Sequence, residues 1–525
     1  MTQKTLGAQI SHMLKSRGVD VIFGIPGVHN QELYRGIEEA GITHVLARHE
    51  QGAGFMADGY ARATGKPGVA YVITGPGLCN IMTPMGQAYS DSVPMLVISS
   101  CLDETAARRG QLHQMLDQRA AADTVCEWSE EARTPEAAYA LIDRALIELS
   151  TGRARPRHIQ IPISVLEAPA PPPGPRPVIA SEVASKPMSG IIETILAAKA
   201  PLFILGGGAR DCADPARDAL GALGAACFET QAGRGVIGSY ALNYGSYLAR
   251  PDSGAVIEQA DVVILVGTEL SPSDVLREDI GIRGRLIQVD IDPSGFLPEC
   301  EWPVLSSAGN FFDRLLSALD GHEAATEWDH TKVRTAKARW RAEVDAEIPN
   351  VLPLADALRT CLPELTVVYS DMTQFAYACL EGWPMERPGF WHHPAGFGTL
   401  GYSLPASIGG AVARPDLPTC CVIGDYGLQY TIAELGTAVE LGLPLPILLW
   451  DNGKLGAIEH SMIGAQIAPN SVIAHNPDFV ALARAYGAHA FRPESLADLA
   501  RQVNEAFKAD RPTLIHMTPA LARSQ

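Results

Sequence analysis

The chain has 525 residues, 47% of them hydrophobic and 19% charged, which is enough for about three globular domains of ordinary size. Its formal net charge of −18 at pH 7 argues against nucleic acid or an anionic membrane as a partner. The first residues lack the apolar core of a signal peptide, and no apolar run approaches the ~18 residues of a membrane span. Ten cysteines without CxxC spacing are typical of reduced thiols, so a cytoplasmic protein is expected.

Helix and strand patterns alternate in the first third of the chain. Apolar runs predict strands at 19–24, 42–47, 69–73 and 95–99. A helix is predicted at 53–64. Alternation of this kind favours a doubly wound α/β domain, in which helices cover both faces of a parallel sheet. We place this N-terminal domain at residues 1–167.

A proline-rich segment, APAPPPGPRP from residue 168, follows, and a semi-rigid linker is expected at 168–187. A second doubly wound domain is placed at 188–322, where three apolar runs predict parallel strands. Gly206-Gly207-Gly208 follows the first run and has two interpretations, a dinucleotide-binding loop or a tight strand-to-helix turn. Because no third glycine completes the GxGxxG spacing, the turn is favoured.

A charged segment at 323–350 predicts a linker helix, and the third doubly wound domain is placed at 351–525. Its most informative stretch begins at Cys421-Val422-Ile423, a run typical of a buried parallel strand. That run stops at the turn-forming residues Gly424-Asp425-Tyr426-Gly427. A second buried strand, Ile447–Trp450, ends just before Asp451 and Asn452.

Thr431 and Glu434 lie between these strands with the spacing of a capping box, so a helix is predicted from there to about Leu441. A strand–helix–strand unit has parallel strands, which brings Asp425 and Asn452 to the same edge of the sheet. Carboxylate and amide oxygens suit Mg²⁺ or Ca²⁺, and a helix N-terminus adds N–H donors for phosphate. Either residue alone could simply form a turn, but the pair predicts a metal and phosphate site.

In this order, Gly424-Asp425-Tyr426-Gly427 and Asp451-Asn452 resemble the fingerprint of thiamine-diphosphate enzymes, which opens with Gly-Asp-Gly and closes with Asn-Asn. The resemblance implies that Mg²⁺ is bound by Asp425, by Asn452 and by the backbone carbonyl of Lys454. Two departures are present, since Tyr426 replaces the last glycine of the first triplet and Asp451 replaces the first asparagine. Gly427 supplies the flexibility that the triplet loses.

The run RHEQGAGFMADGYAR at 48–62 resembles a motif of the 2-oxo-acid decarboxylase and acetohydroxyacid synthase family. With TGPGLCN at 74–80 and GTLGYSLPASIGG at 398–410, this resemblance covers nearly the whole chain. It implies that Glu50 hydrogen-bonds N1′ of the aminopyrimidine and favours the tautomer that takes the proton from thiazolium C2. Outside the family, Glu50 would be an acid favoured by a helix dipole.

The same resemblance implies further cofactor contacts. Leu400 would hold the two rings of thiamine diphosphate in a bent conformation, and the Gly398 carbonyl would accept from the 4′-amino group. Met372 and Thr373 would contact the diphosphate. Because the matching glutamate in relatives acts on a cofactor held by the partner subunit, a homodimer or homotetramer with the active site at the interface is implied.

Departures from the acetohydroxyacid synthases argue against FAD and against condensation of two substrates. Those enzymes carry an Arg-Phe-Asp-Asp-Arg run where this chain has Thr268-Glu269-Leu270-Ser271. They also carry a tryptophan where this chain has Ser461. Val28 stands where some decarboxylases place serine or aspartate, which makes it a candidate to contact the substrate.

Several polar residues are candidates for catalysis or substrate binding. Candidate catalytic residues are His29, His113 and Gln114. For the two histidines the reason is that an imidazole titrating near neutrality suits a general acid. His29, His392 and His393 are candidates to contact the 2-oxo acid, although a structural role is equally open for each histidine. Removal of CO₂ and protonation would release an aldehyde, so a carboxy-lyase is expected.

The runs GIPGVHNQELYRG, QLHQMLDQ and GDYGLQYT most resemble the 2-ketoarginine decarboxylases. That resemblance implies conversion of 5-guanidino-2-oxopentanoate to 4-guanidinobutanal and CO₂. Glu459 is the candidate carboxylate for the guanidinium, with a solvent-facing helical glutamate as the alternative. Two other functions stay open: a carboligase of the acetolactate synthase type, and a non-catalytic cofactor-binding homologue. The presence of Glu50, Leu400, Asp425 and Asn452 argues against the second.

Overall fold

The computed structural model describes residues 4–104, 108–177, 188–322, 324 and 326–523. They contain three parallel α/β sheets, which confirms the predicted fold class. The chain forms two compact units: the described parts of 1–180, 361–373 and 393–525, and the described parts of 181–360 and 374–392. We call these the first and the second unit. The predicted domain and linker bounds include residues 1–3, 178–187 and 524–525, which lie outside the described residues.

The first sheet belongs to the first unit and has the strand order β2-β1-β3-β4-β6-β5, with all neighbouring strands in this order parallel. Its strands are β1 (Val21–Gly24), β2 (Thr43–Leu46), β3 (Gly68–Val72), β4 (Met95–Cys101), β5 (Trp128–Glu131) and β6 (Arg157–Pro162). Its helices are α1 (Leu6–Ser16), α2 (Gln31–Tyr34), α3 (Ile37–Ala40), α4 (Glu50–Thr64), α5 (Pro76–Ser90), α6 (Gln118–Asp123), α7 (Pro135–Thr151) and α8 (Ile163–Glu167).

The second unit contains a five-stranded parallel sheet with the order β11-β10-β9-β7-β8. Its strands are β7 (Pro201–Leu205), β8 (Ala226–Glu229), β9 (Val262–Val266), β10 (Arg285–Asp290) and β11 (Trp302–Leu305). The helices of this part are α9 (Ser189–Leu196), α10 (Ala213–Leu223), α11 (Ser253–Ile257), α12 (Pro272–Val275), α13 (Ala308–Ala318), α14 (His330–Glu347), α15 (Val351–Cys361) and α16 (Gln374–Gly382), with short 3₁₀ helices at Gly207–Cys212 and Pro293–Gly295.

The remaining elements belong mainly to the first unit, whose second sheet contains the parallel order β12-β14-β15-β17-β16. The strands are β12 (Val367–Ser370), β13 (Trp391–His392, in the second unit), β14 (Thr419–Gly424), β15 (Pro446–Trp450), β16 (His489–Phe491) and β17 (Thr513–Met517). The helices are α17 (Ser403–Ala413), α18 (Asp425–Thr431), α19 (Glu434–Glu440), α20 (Gly456–Gly464), α21 (Phe479–Ala485) and α22 (Leu496–Ala506), with a 3₁₀ helix at Leu521–Arg523.

Helices α4 and α17 pack closely in the core of the first unit. A Cβ on Gly59 would lie 1.9 Å from the Ala406 carbonyl oxygen, and a Cβ on Gly409 would lie 1.9 Å from that of Met56. Larger residues would therefore separate the two helices. This contact fixes the helix that begins at Glu50 against the helix that follows Leu400.

The glycine run after β7 is explained by packing against a neighbouring strand end. A Cβ on Gly206 would lie 2.2 Å from the Gly267 carbonyl oxygen, and one on Gly208 would lie 2.8 Å from the Gly267 Cα. The chain then continues as a 3₁₀ helix, Gly207–Cys212. The interpretation as a tight turn is confirmed.

The predicted capping box at Thr431 and Glu434 is wrong. Thr431 is the last residue of α18, and its Oγ1 donates to the Gly401 carbonyl at 2.8 Å. Glu434 accepts hydrogen bonds from the backbone N–H groups of Arg48 and His49, both at 3.0 Å. Both polar side chains are thus used by distant parts of the fold. The predicted helix is present as α19, which begins at Glu434 and follows the separate helix α18 (Asp425–Thr431).

Candidate functional site

Asp425 and Asn452 follow two adjacent, parallel strands. β14 pairs with β15 so that Gly424 is opposite Trp450, which brings both residues to the same edge of the sheet. Asp425 begins α18 and is 3% exposed, whereas Asn452 is half-buried. This edge carries a buried carboxylate, a side-chain amide and a helix N-terminus.

Asn476, which sequence reasoning missed, links Asp425 to Asp451. Its Nδ2 donates to Asp425 Oδ2 at 2.7 Å and to Asp451 Oδ1 at 2.9 Å. Burial raises the pKa of Asp425, against the hydrogen bond from Asn476, which lowers it. No local pattern marks Asn476, because it lies 51 residues from Asp425.

Asp451, the departure from the Asn-Asn pair, has its own partner in His516. The distance between His516 Nε2 and Asp451 Oδ2 is 2.8 Å, and Arg492 Nε donates to His516 Nδ1 at 3.1 Å. His516 therefore donates from Nε2 to Asp451. Burial opposes ionisation of Asp451, but the hydrogen bonds from His516 and Asn476 leave its pKa lowered.

The loop after Asn452 is held by short-range contacts. The Lys454 N–H donates to Asn452 Oδ1 at 3.4 Å, and Lys454 forms an isolated antiparallel bridge with Ile473. The Lys454 ammonium donates to Glu459 Oε2, and the Glu459 side chain is 22% exposed. The acid expected to bind a guanidinium is thus paired with a lysine of the loop that precedes its helix, α20.

Asp371, also missed from the sequence, organises the predicted diphosphate loop. Its carboxylate accepts from the backbone N–H groups of Met372 (2.8 Å), Gly401 (3.2 Å) and Ser403 (3.3 Å). A Cβ on Gly427 would lie 3.0 Å from this carboxyl group. Burial raises the pKa of Asp371 to about 6, although these hydrogen bonds lower it.

The other predicted loop residues lie around Asp371. A Cβ on Gly424 would be 3.2 Å from Thr373 Oγ1, and one on Gly398 would be 3.5 Å from Met372 Cε. Thr373 is buried, and Tyr426 and Leu400 are half-buried. Gly398 has φ +65°, a left-handed conformation that favours glycine.

Glu50 is the first residue of α4 and is 9% exposed. Asn80 Nδ2 donates to its Oε2 at 2.9 Å. Glu434 supports the same helix end, because it accepts from the two N–H groups that precede Glu50. A Cβ on Gly52 would lie 2.1 Å from Glu434 Oε1, so the residue two positions after Glu50 must be small. Asn80 closes the TGPGLCN run at 74–80, whereas the contact of Glu434 with the start of α4 has no local signal in the sequence.

His29 and His113 are brought together, with ring centroids 4.8 Å apart and planes at 71°. Each Nδ1 is buried and has no hydrogen-bond partner among the described residues. Burial, and then the charge of His113, lowers the pKa of His29. His113 has φ +64°, and its carbonyl oxygen would lie 2.4 Å from a Cβ on Gly75.

The remaining predicted residues have less defined surroundings. Gln114 is half-buried, and its Oε1 accepts from the Gln111 N–H at 3.2 Å. Val28 is 62% exposed. His392 is buried in β13 of the second unit, and His393 Nδ1 is 2.9 Å from Ser370 Oγ in the first unit.

The residues of the first unit fit a diphosphate and a hard cation. Asp425 and Asn452 supply oxygen donors of the type that Mg²⁺ prefers. A Cβ on Gly427 would lie closer to the Asp371 carboxyl group than most Cβ contacts do, which favours a residue without a side chain at this point of the loop. Near β1, the Nδ1 atoms of His29 and His113 lack protein partners in the described chain and suit a polar ligand.

Three family models match successive parts of the chain. The N-terminal binding domain of thiamine pyrophosphate enzymes matches residues 4–121, the central domain matches 188–315, and the C-terminal binding domain matches 371–517. Together with the relatives described next, they show that the chain belongs to the thiamine pyrophosphate enzymes.

Among curated relatives, the chain is 41% identical to the probable 2-ketoarginine decarboxylase AruI of Pseudomonas aeruginosa, over 99% of this chain and 95% of that protein. It is 27% identical to the acetolactate synthase large subunit of Haemophilus influenzae, over 96% and 92% of the two chains. It is 26% identical to the acetolactate synthase isozyme 1 large subunit of Escherichia coli, over 97% of this chain and 92% of that protein.

Within the described ranges, every helix is too short or too polar to cross a membrane.

Proposed function

We propose that this protein is a Mg²⁺-dependent decarboxylase of a 2-oxo acid with a cationic tail, 5-guanidino-2-oxopentanoate, and that it releases 4-guanidinobutanal and CO₂. The observation that carries the dependence on Mg²⁺ and a diphosphate cofactor is the meeting of Asp425 and Asn452 at one edge of a parallel sheet. The substrate is supported by the relative of 41% identity, whose name specifies 2-ketoarginine.

Mg²⁺ would be held by Asp425, by Asn452 and by the Lys454 carbonyl. Asn476 already occupies Asp425 Oδ2, which orients the carboxylate before any cation binds. The diphosphate would be held by Met372, Thr373 and the 424–427 turn. Asp371 fixes the position of Met372, because its carboxylate accepts from the backbone N–H groups of Met372 and Gly401. The bound thiazolium would supply the electron sink that lets the carboxylate of the 2-oxo acid leave as CO₂.

Glu50 would hold a proton at the aminopyrimidine end of the cofactor. Asn80 donates to one of its oxygens, which restricts the rotation of the carboxylate. Glu434 fixes the start of α4, because its carboxylate accepts from the backbone N–H groups of Arg48 and His49. A carboxylate held from two sides loses little conformational freedom when it makes its hydrogen bond, which is the source of catalytic pre-organisation.

His29 and His113 would supply the proton that completes the aldehyde. Two imidazolium charges this close would repel each other, so charging both rings at once is costly. The lowered pKa of His29 favours the neutral form of that ring. Gln114 follows directly and would orient the substrate carboxylate or carbonyl. Val28 would line the substrate pocket.

The far end of the substrate would meet Glu459. A guanidinium is costly to bury without a partner, and a carboxylate offers two acceptors that match its fork. In the absence of substrate the Lys454 ammonium forms an ion pair with Glu459, which holds the carboxylate in place and balances its charge. His392 and His393 would contact the substrate nearer its 2-oxo end.

The active protein would be a homodimer or homotetramer in the cytoplasm, with a small-molecule substrate and without nucleic acid or membrane. Val28, Leu112, Leu116 and Ile473 are more than half exposed, which favours burial against another chain. The ten cysteines lie within the described residues and form no disulfide there, which suits a reducing compartment.

A carboligase of the acetolactate synthase type is the second candidate, because relatives of 26–27% identity bear that name. The test is incubation with thiamine diphosphate, Mg²⁺ and either 5-guanidino-2-oxopentanoate or pyruvate, followed by assay of CO₂ and organic product. We expect one aldehyde for each CO₂ from the guanidino acid. Acetolactate from pyruvate, with one CO₂ for every two pyruvates consumed, would instead assign the carboligase.

A further inference from the structure

The carboxylate of Glu50 lies against the first turn of α5. Asn80 Nδ2 donates to Glu50 Oε2 at 2.9 Å, and a Cβ on Gly77 would lie 3.3 Å from Glu50 Oε1. Both contacts come from α5, whose first residue is Pro76. The place of this carboxylate therefore depends on where α5 begins.

Gly75, the residue before α5, is also in contact with the backbone of His113. It has φ +70°, a left-handed conformation that favours glycine. A Cβ at this position would lie 2.4 Å from the His113 carbonyl oxygen, so the two stretches of backbone approach each other directly. One residue thus adjoins both the helix that contacts Glu50 and the loop that carries His113.

The side chain of Gln118 ties Gly75 to the end of β4. The Gly75 N–H donates to Gln118 Oε1 at 2.9 Å, and Gln118 Nε2 donates to the Ser100 carbonyl at 2.8 Å. The same nitrogen donates to Ser99 Oγ and to Gln160 Oε1, both at 3.2 Å. A flipped amide would set its nitrogen against the Gly75 N–H and its oxygen against the Ser100 carbonyl. Only one orientation of this side chain therefore satisfies its partners.

The groups around Gln118 are buried and fixed in turn. Gln160 Nε2 donates to Glu131 Oε2 at 2.6 Å, which leaves its oxygen to face Gln118. Ser99 Oγ lies 2.8 Å from Nε2 of His158, a fully buried ring. Burial lowers the pKa of His158 to about 3, so this ring is neutral near pH 7. Gln118 itself is 8% exposed, and loss of its amide would leave buried groups without a partner, which is costly.

We propose that Gln118 is a positioning residue that holds the start of α5 and thereby sets Glu50 relative to His113. This rests on the proposed function, in which Glu50 holds a proton at the aminopyrimidine and His113 belongs to the pair that protonates the product. Gln118, Glu50 and His113 all belong to the part of the first unit that forms the first sheet. Their arrangement within one chain therefore does not depend on which subunit holds the diphosphate.

Two substitutions of Gln118 separate its hydrogen bonds from its volume. Gln118→Met fills a similar space and removes both the acceptor and the donor. Gln118→Glu keeps the acceptor for the Gly75 N–H, but its carboxyl group can donate to the Ser100 carbonyl only while it is protonated. Because burial favours the protonated form of a carboxyl group, Gln118→Glu should resemble wild type at low pH and lose that resemblance as pH rises.

Gln9 supplies the matched control. It is also 8% exposed, and its Nε2 donates to the Ala170 carbonyl at 3.3 Å. Gln9→Met and Gln9→Glu remove the same groups from a buried glutamine that lies outside the 74–80 segment. Every variant is prepared as the full chain, and thermal melting establishes that it is folded at the temperature of the assays. Glu50→Gln calibrates the cofactor assay.

The first readout needs no cofactor. Amide hydrogen exchange of the apoprotein at 75–80 should be about tenfold faster in Gln118→Met than in wild type, because the start of α5 opens more readily. Gln9→Met should match wild type there. The second readout is exchange of the C2 proton of bound thiamine diphosphate with deuterated solvent, followed by NMR. Its rate should fall roughly 10- to 100-fold in Gln118→Met, the scale of a small misplacement of reacting groups.

The third readout is the pH dependence of C2 exchange in Gln118→Glu, expressed as a ratio to wild type. This ratio should fall between about pH 5 and about pH 8, the range in which a buried glutamate titrates. The ratio for Gln9→Glu should stay constant. His158 and Glu131, the titratable groups that border Gln118, are present in every variant and in wild type, so their own titration cancels in the ratio.

C2 exchange that is equal in the Gln118 and Gln9 variants would overturn the proposal, and so would amide exchange at 75–80 that matches wild type in Gln118→Met. A Gln118→Glu ratio that stays constant or rises with pH would also overturn it, because the donor to Ser100 would then have no effect. If wild-type protein bound no thiamine diphosphate, or if Glu50→Gln left C2 exchange unchanged, the proposed function would fail instead. Amide exchange would still decide whether Gln118 holds the start of α5.

Discussion

Each of the two units carries a glycine-rich turn at the carboxyl end of a parallel strand, but the two turns face different neighbours. In the second unit, the glycines after β7 lie against the backbone of Gly267. In the first unit, the turn after β14 contains Asp425, and the next strand leads to Asn452. The turn after β7 is thus packed against protein backbone, whereas the turn after β14 carries oxygen donors.

Buried carboxylates next to these turns extend the comparison. Glu229 ends β8 and accepts from the Ile237 N–H at 2.8 Å and from Asn243 Nδ2 at 3.3 Å. Asp371 follows β12 and accepts from three backbone N–H groups of the predicted cofactor loops. Burial raises the pKa of both acids.

The comparison shows that a glycine run at a strand end is not sufficient evidence for a ligand site. Small residues serve close backbone packing as well as they serve phosphate binding. The two turns differ in the residue types that follow the strands: Asp425 and Asn452 follow β14 and β15, whereas glycines follow β7. The predictions below test whether function is confined to the turn with oxygen donors.

The largest effect is expected from Glu50→Gln. The amide cannot hold a proton as the carboxylate does, so turnover should fall by roughly 10²- to 10⁴-fold, the usual contribution of a general acid or base. Binding of thiamine diphosphate, measured by calorimetry, should persist. Near-wild-type turnover in this variant would remove Glu50 from its role.

Asp371→Asn should change how stability depends on pH. The folded carboxyl, with a pKa of about 6, holds its proton more tightly than an unfolded one of about 3.8, so its contribution to stability falls as pH rises between these values. Asparagine does not titrate. The variant should therefore gain up to about 3 kcal/mol relative to wild type between about pH 4 and pH 7. Calorimetric melting at each pH measures this.

Glu229→Gln is the matched control in the second unit. It removes another buried carboxyl with a raised pKa, so its relative stability should also rise with pH. Only Asp371→Asn should weaken the binding of thiamine diphosphate as well. If Glu229→Gln weakened cofactor binding equally, the contrast between the two strand ends would be lost.

Asp425→Ala should weaken Mg²⁺ and thiamine diphosphate together, because the cation joins the protein to the diphosphate. We expect more than about a tenfold loss, the lower limit of what even outer-shell partners of a metal contribute. Thr268→Ala, two residues after β9 as Asn452 is two residues after β15, should change neither affinity. Titration of each ligand decides, and unchanged affinities in Asp425→Ala would show that the turn was misread.

Glu459→Gln should raise KM for 5-guanidino-2-oxopentanoate about tenfold, the equivalent of ~1.5 kcal/mol for a charged hydrogen bond. It should do much less to kcat and to activity on 2-oxohexanoate. Lys454→Met removes the competing ammonium and should lower the same KM. Equal effects of Glu459→Gln on charged and neutral substrates, or none on either, would favour the alternative that Glu459 is a solvent-facing helical glutamate without a role in substrate binding.

FAD should have no effect. The purified protein should lack flavin absorbance, and added FAD should leave turnover and melting temperature unchanged. A yellow preparation would give the second unit a ligand of its own and would favour the acetohydroxyacid synthases.

The strands and the approach of Asp425 to Asn452 could be predicted because both depend on local patterns. Apolar runs define β14 and β15, and a helix between two strands makes them parallel. The tight turn at Gly206 was also predictable, since a missing third glycine is visible in the sequence. These features need no knowledge of distant residues.

The rest of the site depends on long-range contacts that no local pattern marks. Glu434 caps a helix that begins 384 positions earlier in the chain, whereas its sequence neighbours suggested a capping box with Thr431. Asn476 and Asp371 are ordinary loop residues until folding brings them to Asp425 and Gly427. Tertiary hydrogen bonds overrode the local preference at each position.

The most direct test is calorimetric titration of thiamine diphosphate into metal-free wild-type protein, once with Mg²⁺ and once with EDTA. We predict one cofactor per chain with Mg²⁺ and a large loss of affinity with EDTA, because in the proposed site Asp425 and Asn452 would hold the diphosphate only through the cation. Equal affinity under both conditions, or no binding with Mg²⁺, would contradict a metal and diphosphate site at this edge.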